Sequence, residues 1–196
     1  GNILVNIIYK NGQKWTGRYG EIFYLEGIEK KGMKTEYPNG IIKEEGILFN
    51  EKKIGRWTSY HNNGKRKSTG LYNDGLENGK WYYWYKSGKK EKVGSYNNGI
   101  KEGLWLGWYY AGNKFFERRY NNGQKDGKWI WWYDNRKLKY IGNYNADIKT
   151  GEWKEYENDG SILVDGTYVS GQEWDGVFKG EYYSDGKKAE EDKDYY

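Results

Sequence analysis

"NGKWYYWYKSGKKEKVGSYNNGIKEGLW", residues 78–105, crowds five aromatic rings into residues 81–85 and surrounds them with glycine and lysine. A ligand pocket would be one singular feature of this kind, whereas a structural module would recur along the chain. It recurs. Gly-x-Trp stands at Gly55/Trp57, Gly79/Trp81, Gly103/Trp105, Gly127/Trp129 and Gly151/Trp153, each pair 24 residues after the last. Tyr72, Tyr96, Tyr120, Tyr144 and Tyr168 follow at the same interval, as do Tyr60, Trp84, Trp108, Trp132 and Tyr156. Each period is therefore one supersecondary unit.

Turn signals cut each unit in two. "NNG" at 62–64, "NDG" at 73–75, "KSG" at 86–88 and "NNG" at 97–99 and 121–123 are hairpin reversals, because Asn and Gly tolerate positive φ. Gly64, Gly75, Gly88, Gly99, Gly112 and Gly123 alternate spacings of 11 and 13. The unit is a β-hairpin, and the expectation is an all-β, elongated array of antiparallel hairpins in a single twisted sheet. Composition agrees: 22 Tyr, 11 Trp and 29 Gly with one Pro leave burial to rings lying on a sheet. The array is expected over residues 1–186, strict from about 55 to 171 and degenerate at both ends, with an acidic disordered tail at 187–196.

The motif in "GSYNNGIKEGLWLGW" (residues 94–108) and "NYNADIKTGEWKEY" (residues 143–156) resembles the variant class of MORN repeats, common in bacteria and often in tandem. The resemblance implies a hairpin scaffold that binds other molecules, and an antitoxin, immunity or phage-type inhibitor role. "GKWYYWYKSGKK" also resembles choline- or glucan-binding repeats, but those are about 20 residues long and wind into a solenoid, against the strict 24-residue interval here.

The recurring tryptophans and the rings three positions on are structural, because glycine leaves room for a ring to lie across a neighbouring strand. Other positions of the same strand vary: Thr58, Ser59 and His61 after Trp57, but Tyr82, Tyr83 and Tyr85 after Trp81, then Tyr109, then Ile130, Trp131 and Tyr133. The repeat does not call for these rings, and Tyr and Trp dominate protein interfaces. Arg118 stands in the track of Gly70, Gly94 and Gly142, and Arg136 in the turn track of Gly64, Gly88 and Gly112. With Arg119 they are expected to form a basic rim, Asn135 taking the left-handed conformation in place of the lost glycine. The candidate partner-binding set is Tyr83, Tyr85, Tyr109, Arg118, Arg119, Trp131, Tyr133 and Arg136.

Catalytic signals are missing. The chain has no Cys and a single histidine, His61, read as a surface residue beside its turn, so no triad and no metal or cofactor motif can be assembled. The net charge of +5 is spread among both signs, short of the basic stripe of a dedicated nucleic-acid binder. The expected function is a non-enzymatic, cytoplasmic protein that binds and inhibits another protein, a toxin or nuclease. Removal of a signal peptide would place it at the surface, where glycan or anionic lipid is the second reading.

Overall fold

The computed structural model describes residues 7–10, 13–19, 22–25 and 28–189, with side chains from Gly32 onward. Every regular element among them is a β-strand, and no helix occurs. In chain order they are β1 (Ile7–Lys10), β2 (Gln13–Tyr19), β3 (Ile22–Leu25), β4 (Ile28–Glu36), β5 (Ile42–Phe49), β6 (Lys52–Tyr60), β7 (Arg66–Asn73), β8 (Leu76–Trp84), β9 (Lys90–Asn97) and β10 (Ile100–Trp108). There follow β11 (Lys114–Asn121), β12 (Gln124–Lys125), β13 (Gly127–Trp132), β14 (Leu138–Asn145), β15 (Ile148–Tyr156), β16 (Ile162–Val169), β17 (Gln172–Phe178), β18 (Glu181–Ser184) and β19 (Lys187–Lys188).

The chain divides into two compact units, residues 1–89 with 96–99 and residues 90–95 with 100–196. In the first, each strand from β1 to β8 pairs antiparallel with the next. In the second, β10 pairs with β11, β11 with β12 and β13, and each later strand with its successor. Both units are thus the open hairpin meander expected from the 24-residue interval. The last hairpin runs two residues beyond the expected end of the array, since Lys187 and Lys188 pair with Ser184 and Tyr183. The remainder of the expected tail, from residue 190, lies outside the described residues.

Two turn types alternate, which explains the 11/13 spacing. At one kind, both central residues have positive φ, as in Asp74/Gly75 (49° and 86°) and Asn122/Gly123 (47° and 83°), the geometry of a two-residue type I′ hairpin. At the other, a three-residue loop closes with one left-handed residue, Gly40, Gly64, Gly88, Gly112 or Gly160, and its N–H returns to the carbonyl three residues back, as Gly64 does to His61 (2.9 Å). In the loop that lacks the glycine, Arg136 itself is left-handed (φ 72°) and donates to Tyr133 O. The expectation for Asn135 is therefore corrected: the closing position demands positive φ whatever residue fills it, and Asn135 spends its side chain accepting from Lys137 N–H.

The core is a column of rings. In the second unit Trp105, Tyr120, Trp129, Tyr144, Trp153, Tyr168, Phe178 and Tyr183 meet in sequence edge to face, with centroids 5.0–6.4 Å apart and planes at 65–86°. Trp57, Tyr72, Trp81 and Tyr96 do the same in the first. The glycine that admits each ring is not that of Gly-x-Trp. It is Gly46, Gly70, Gly94 or Gly142 on the preceding strand, where a Cβ would come within 2.0–2.2 Å of an indole carbon. The indole N–H then donates to the next carbonyl on that strand, as Trp153 does to Asn143 O at 3.1 Å. The Gly-x-Trp glycines have φ of +62° to +70°, bending the strand toward this crossing.

Successive hairpins are also stitched along both edges. On the type I′ side, Gly75, Gly99, Gly123 and Gly171 donate N–H to Lys53, Glu77, Lys101 and Lys149 carbonyls one repeat earlier. On the other side, Tyr37, Tyr109 and Tyr133 donate their hydroxyls to the carbonyls of Tyr60, Trp132 and Tyr156, one repeat later, at 2.8–2.9 Å. His61 reaches Trp84 O in the same way (2.8 Å), so its Nε2 carries the proton and it is a half-buried stitch and not a bare surface residue. Replacing Tyr133 with Phe should lower stability by about 0.5–1.5 kcal/mol, measured by chemical denaturation, because Tyr156 O loses its partner. No change would show that water replaces the stitch at no cost.

Candidate functional site

Beside the ring column of each unit, on the same sheet face, runs a second row whose chemistry changes with position in the sequence. In the first unit it begins polar: Ser59 and Ser68 share a 2.7 Å hydrogen bond and Glu44 pairs with Lys53 at 2.6 Å, lining a shallow hollow of about 280 Å³. At the far end of the second unit it reads Glu155 and Val164, in register with each other. Between these ends it is aromatic.

The aromatic stretch in the second unit is built around one exception to the repeat. Arg118 stands where Gly94 and Gly142 seat a tryptophan. Its guanidinium carbon lies 4.3 Å from the Phe116 and Trp131 ring centroids and 4.9 Å from that of Trp129. Trp129 is still buried and donates to Arg119 O at 2.8 Å. A second exception compensates: Gly107, in register with Phe116, leaves space for that ring, since a Cβ there would lie 2.3 Å from it. Rings then continue outward. Phe115 meets Trp131 edge to face at 4.4 Å and Tyr109 at 4.5 Å, and Tyr140 bridges Trp131 (5.7 Å) and Trp153 (6.1 Å). Lys139 hangs over Trp131 and Tyr133. All six members of this layer (Tyr109, Phe115, Phe116, Arg118, Trp131 and Tyr140) are half-buried.

The sequence-predicted site residues separate on this framework. Tyr109, Arg118 and Trp131 come together in the layer, with Tyr133 linked to it through Lys139. Tyr83 belongs to the first unit, where it stacks on Trp81 (6.0 Å) and shares a 3.3 Å hydroxyl contact with Tyr96. Tyr85 closes a three-residue turn, donating its N–H to Lys89 O. The arginines do not form a rim. Arg118 is inside the ring cluster, Arg119 points to the opposite face as strand alternation requires, and Arg136 is in a turn, where its Nε donates to Asn113 Oδ1 at 2.9 Å. Phe115, Phe116 and Tyr140 were not among the predicted residues. Their clue was Gly107 and Arg118 breaking two tracks within one repeat.

A ladder of cations also escaped the sequence reading, although Lys53, Lys101, Lys125 and Lys149 fall on the 24-residue interval. Each ammonium sits over the tryptophan four residues on and over the next column tyrosine, at 4.1–5.4 Å. Burial pushes the Tyr72 phenol up to about 12 and the Tyr140 phenol up to about 12, the latter against the opposing charge of Arg118. A phenol whose folded value exceeds its unfolded value stabilises the fold while neutral. Stability should therefore hold to about pH 10 and fall as pH rises toward 12. Phenolate absorbance followed with circular dichroism checks this, and full ionisation near pH 10 with the fold intact would refute it.

Among the described residues no group of three His, Cys, Asp or Glu is placed to hold a metal. Fold and face together define a β-hairpin repeat scaffold with an aromatic side layer. Residues 53–74, 125–146 and 149–170 match the MORN repeat variant family, so three repeats of that class are present in the chain. The matched segments keep the phase of the hairpins, and the intervening repeats share their geometry while carrying Glu77 in the lysine track and Arg118 in the glycine track. The comparison identifies a repeat module and no catalytic domain. No curated protein matches the chain.

Proposed function

We propose that the protein is a non-enzymatic scaffold that captures another protein on the ring-bearing face of its second unit. One observation carries this reading. The layer of Tyr109, Phe115, Phe116, Arg118, Trp131 and Tyr140 is half-exposed, and its Phe116, Trp131 and Tyr140 occupy two tracks that toward the ends hold Ser59, Ser68, Glu155 and Val164. A repeat that folds with serine at these positions does not need tryptophan there, and aromatic side chains with arginine are the usual anchors of a protein interface. Capture inhibits the partner by covering it, in the manner of an antitoxin or immunity protein acting in the cytoplasm. The family resemblance supports that finer step.

Glycan stacking is the weaker reading, because ring faces here carry the chain's own cations. Lys90 lies over Trp108 and Lys114 over Trp132 on one face, and the Lys101, Lys125 and Lys149 ladder covers the column on the other. The test is a double variant, Phe116→Ser with Trp131→Ser, in affinity capture from the organism that carries the gene. Loss of the captured protein with an unchanged circular dichroism spectrum is expected, and undiminished capture would end the proposal. Tyr109 and Tyr133 are poorer choices, since their hydroxyls hold neighbouring hairpins.

A further inference from the structure

The cations on the ring-bearing face differ in how they are neutralised. Lys53 in the first unit and Lys149 in the second each have a carboxylate of their own: Lys53 pairs with Glu44 at 2.6 Å and Lys149 with Glu155 at 2.8 Å. Lys101, Arg118 and Lys125, all in the second unit, have no ion pair among the described residues. The nearby Glu117 is engaged by Lys114. Arg118 Nε is enclosed and meets no acceptor. Three positive charges thus stand on this row of rings, Trp105, Tyr120, Trp129 and Trp131, and none of them is in an ion pair among the described residues.

Resting on the capture reading above, we propose that the partner presents an extended acidic segment to this row, with carboxylates three residues apart. Lys101 and Lys125 occupy equivalent places in consecutive hairpins, two strands apart and offset by two residues, since Gly103 and Lys125 both register with Tyr120. That is about 12 Å between their main chains, and Arg118 lies on the strand between, farther from the turns, in register with Trp105. A segment in the polyproline II conformation rises about 3.1 Å per residue with three residues per turn, so every third side chain falls on one side, about 9.3 Å from the last. The segment would run obliquely across the strands, and the long lysine side chains would lean together to take up the difference. Single-stranded nucleic acid fits less well. It binds by stacking bases on open rings, whereas Trp105 and Trp129 are buried in the edge-to-face column beneath the ammonium groups.

The probe is a labelled synthetic peptide with Glu at every third position and Pro or Ser between, read by fluorescence anisotropy with the full chain. Controls are a peptide of the same composition with its glutamates contiguous, phosphatidylserine vesicles and a labelled oligonucleotide. The spaced peptide should bind at least about tenfold more tightly than the contiguous one. Lys101→Glu with Lys125→Glu should weaken it by at least about tenfold, and added salt should weaken it too. Lys128→Glu, on the opposite face of β13, should change it less than about twofold. Equal binding of the two peptides, an equal loss with Lys128→Glu, or vesicles or oligonucleotide binding as tightly with the same dependence on Lys101 and Lys125 would overturn the inference. If the peptide fails while capture still depends on Phe116 and Trp131, only the carboxylate assignment falls. If both fail, the capture face falls with it.

Discussion

Replacing Trp153 with alanine should cost about 3–5 kcal/mol of folding stability, the range for deleting a large buried aromatic side chain. Trp153 is 1% exposed, and its ring lies over Gly142 with Tyr144 at 5.0 Å and Tyr168 at 5.9 Å. The substitution opens a cavity in the column and leaves Asn143 O without the indole N–H. It also removes the ring beneath Lys149, whose ammonium is 4.3 Å away. Glycine opposite cannot fill the space, having no side chain to move. Urea denaturation of the full chain measures the effect, and a loss below about 1 kcal/mol would mean that the column is not the core. The converse substitution, Gly142→Val, should also destabilise, by about 1–3 kcal/mol or more, because its Cβ would sit 2.1 Å from a Trp153 carbon.

Placing glycine at position 118 should act in the opposite sense, preserving the fold and removing function. In the sister repeats glycine at this place lets the following tryptophan cross the strand, and Trp129 can settle over a glycine here in the same manner. Arg118→Gly would then leave stability unchanged or higher while Phe116 and Trp131 lose the guanidinium between them. An arginine at the centre of an aromatic interface cluster is a typical hot spot, so partner affinity should drop by at least about 2 kcal/mol, roughly thirtyfold. Parallel denaturation and capture measurements separate the two effects. A variant that unfolds would make Arg118 a structural residue, and one that binds as before would exclude it from the interface.

The hairpin array could be read from the chain because its signals are local and repeated. Asn-Gly pairs set the turns, and the 24-residue interval set the column of Trp57, Trp81, Trp105, Trp129 and Trp153. What could not be read depends on which strand neighbours which. Gly-x-Trp drew attention to the wrong glycine, since the ring crosses Gly46, Gly70, Gly94 or Gly142 on the adjacent strand, eleven residues earlier. Tyr109 and Tyr133 resembled spare rings because their acceptors are main-chain carbonyls, which carry no sequence signature. His61 makes the same stitch with a different ring. Arg118 and Arg136 were grouped as breaks in two glycine tracks, with Arg119 beside the first, but strand alternation and a turn carry them to three places. Of the aromatic layer, Tyr109, Arg118 and Trp131 were singled out from the sequence, and Phe115, Phe116 and Tyr140 emerged only when Gly107 was seen to admit Phe116.

The capture face can be tested by placing a photo-crosslinking amino acid at one residue at a time and irradiating the protein in its native host. With the probe at Trp131 or Tyr140 a protein adduct should form, and it should vanish when Arg118→Gly is added. With the probe at Ile148 or Ile162, exposed residues outside the ring layer, no adduct of that mass should appear. Adducts of the same protein from all four positions, or none from Trp131 and Tyr140, would contradict a partner seated on the aromatic layer.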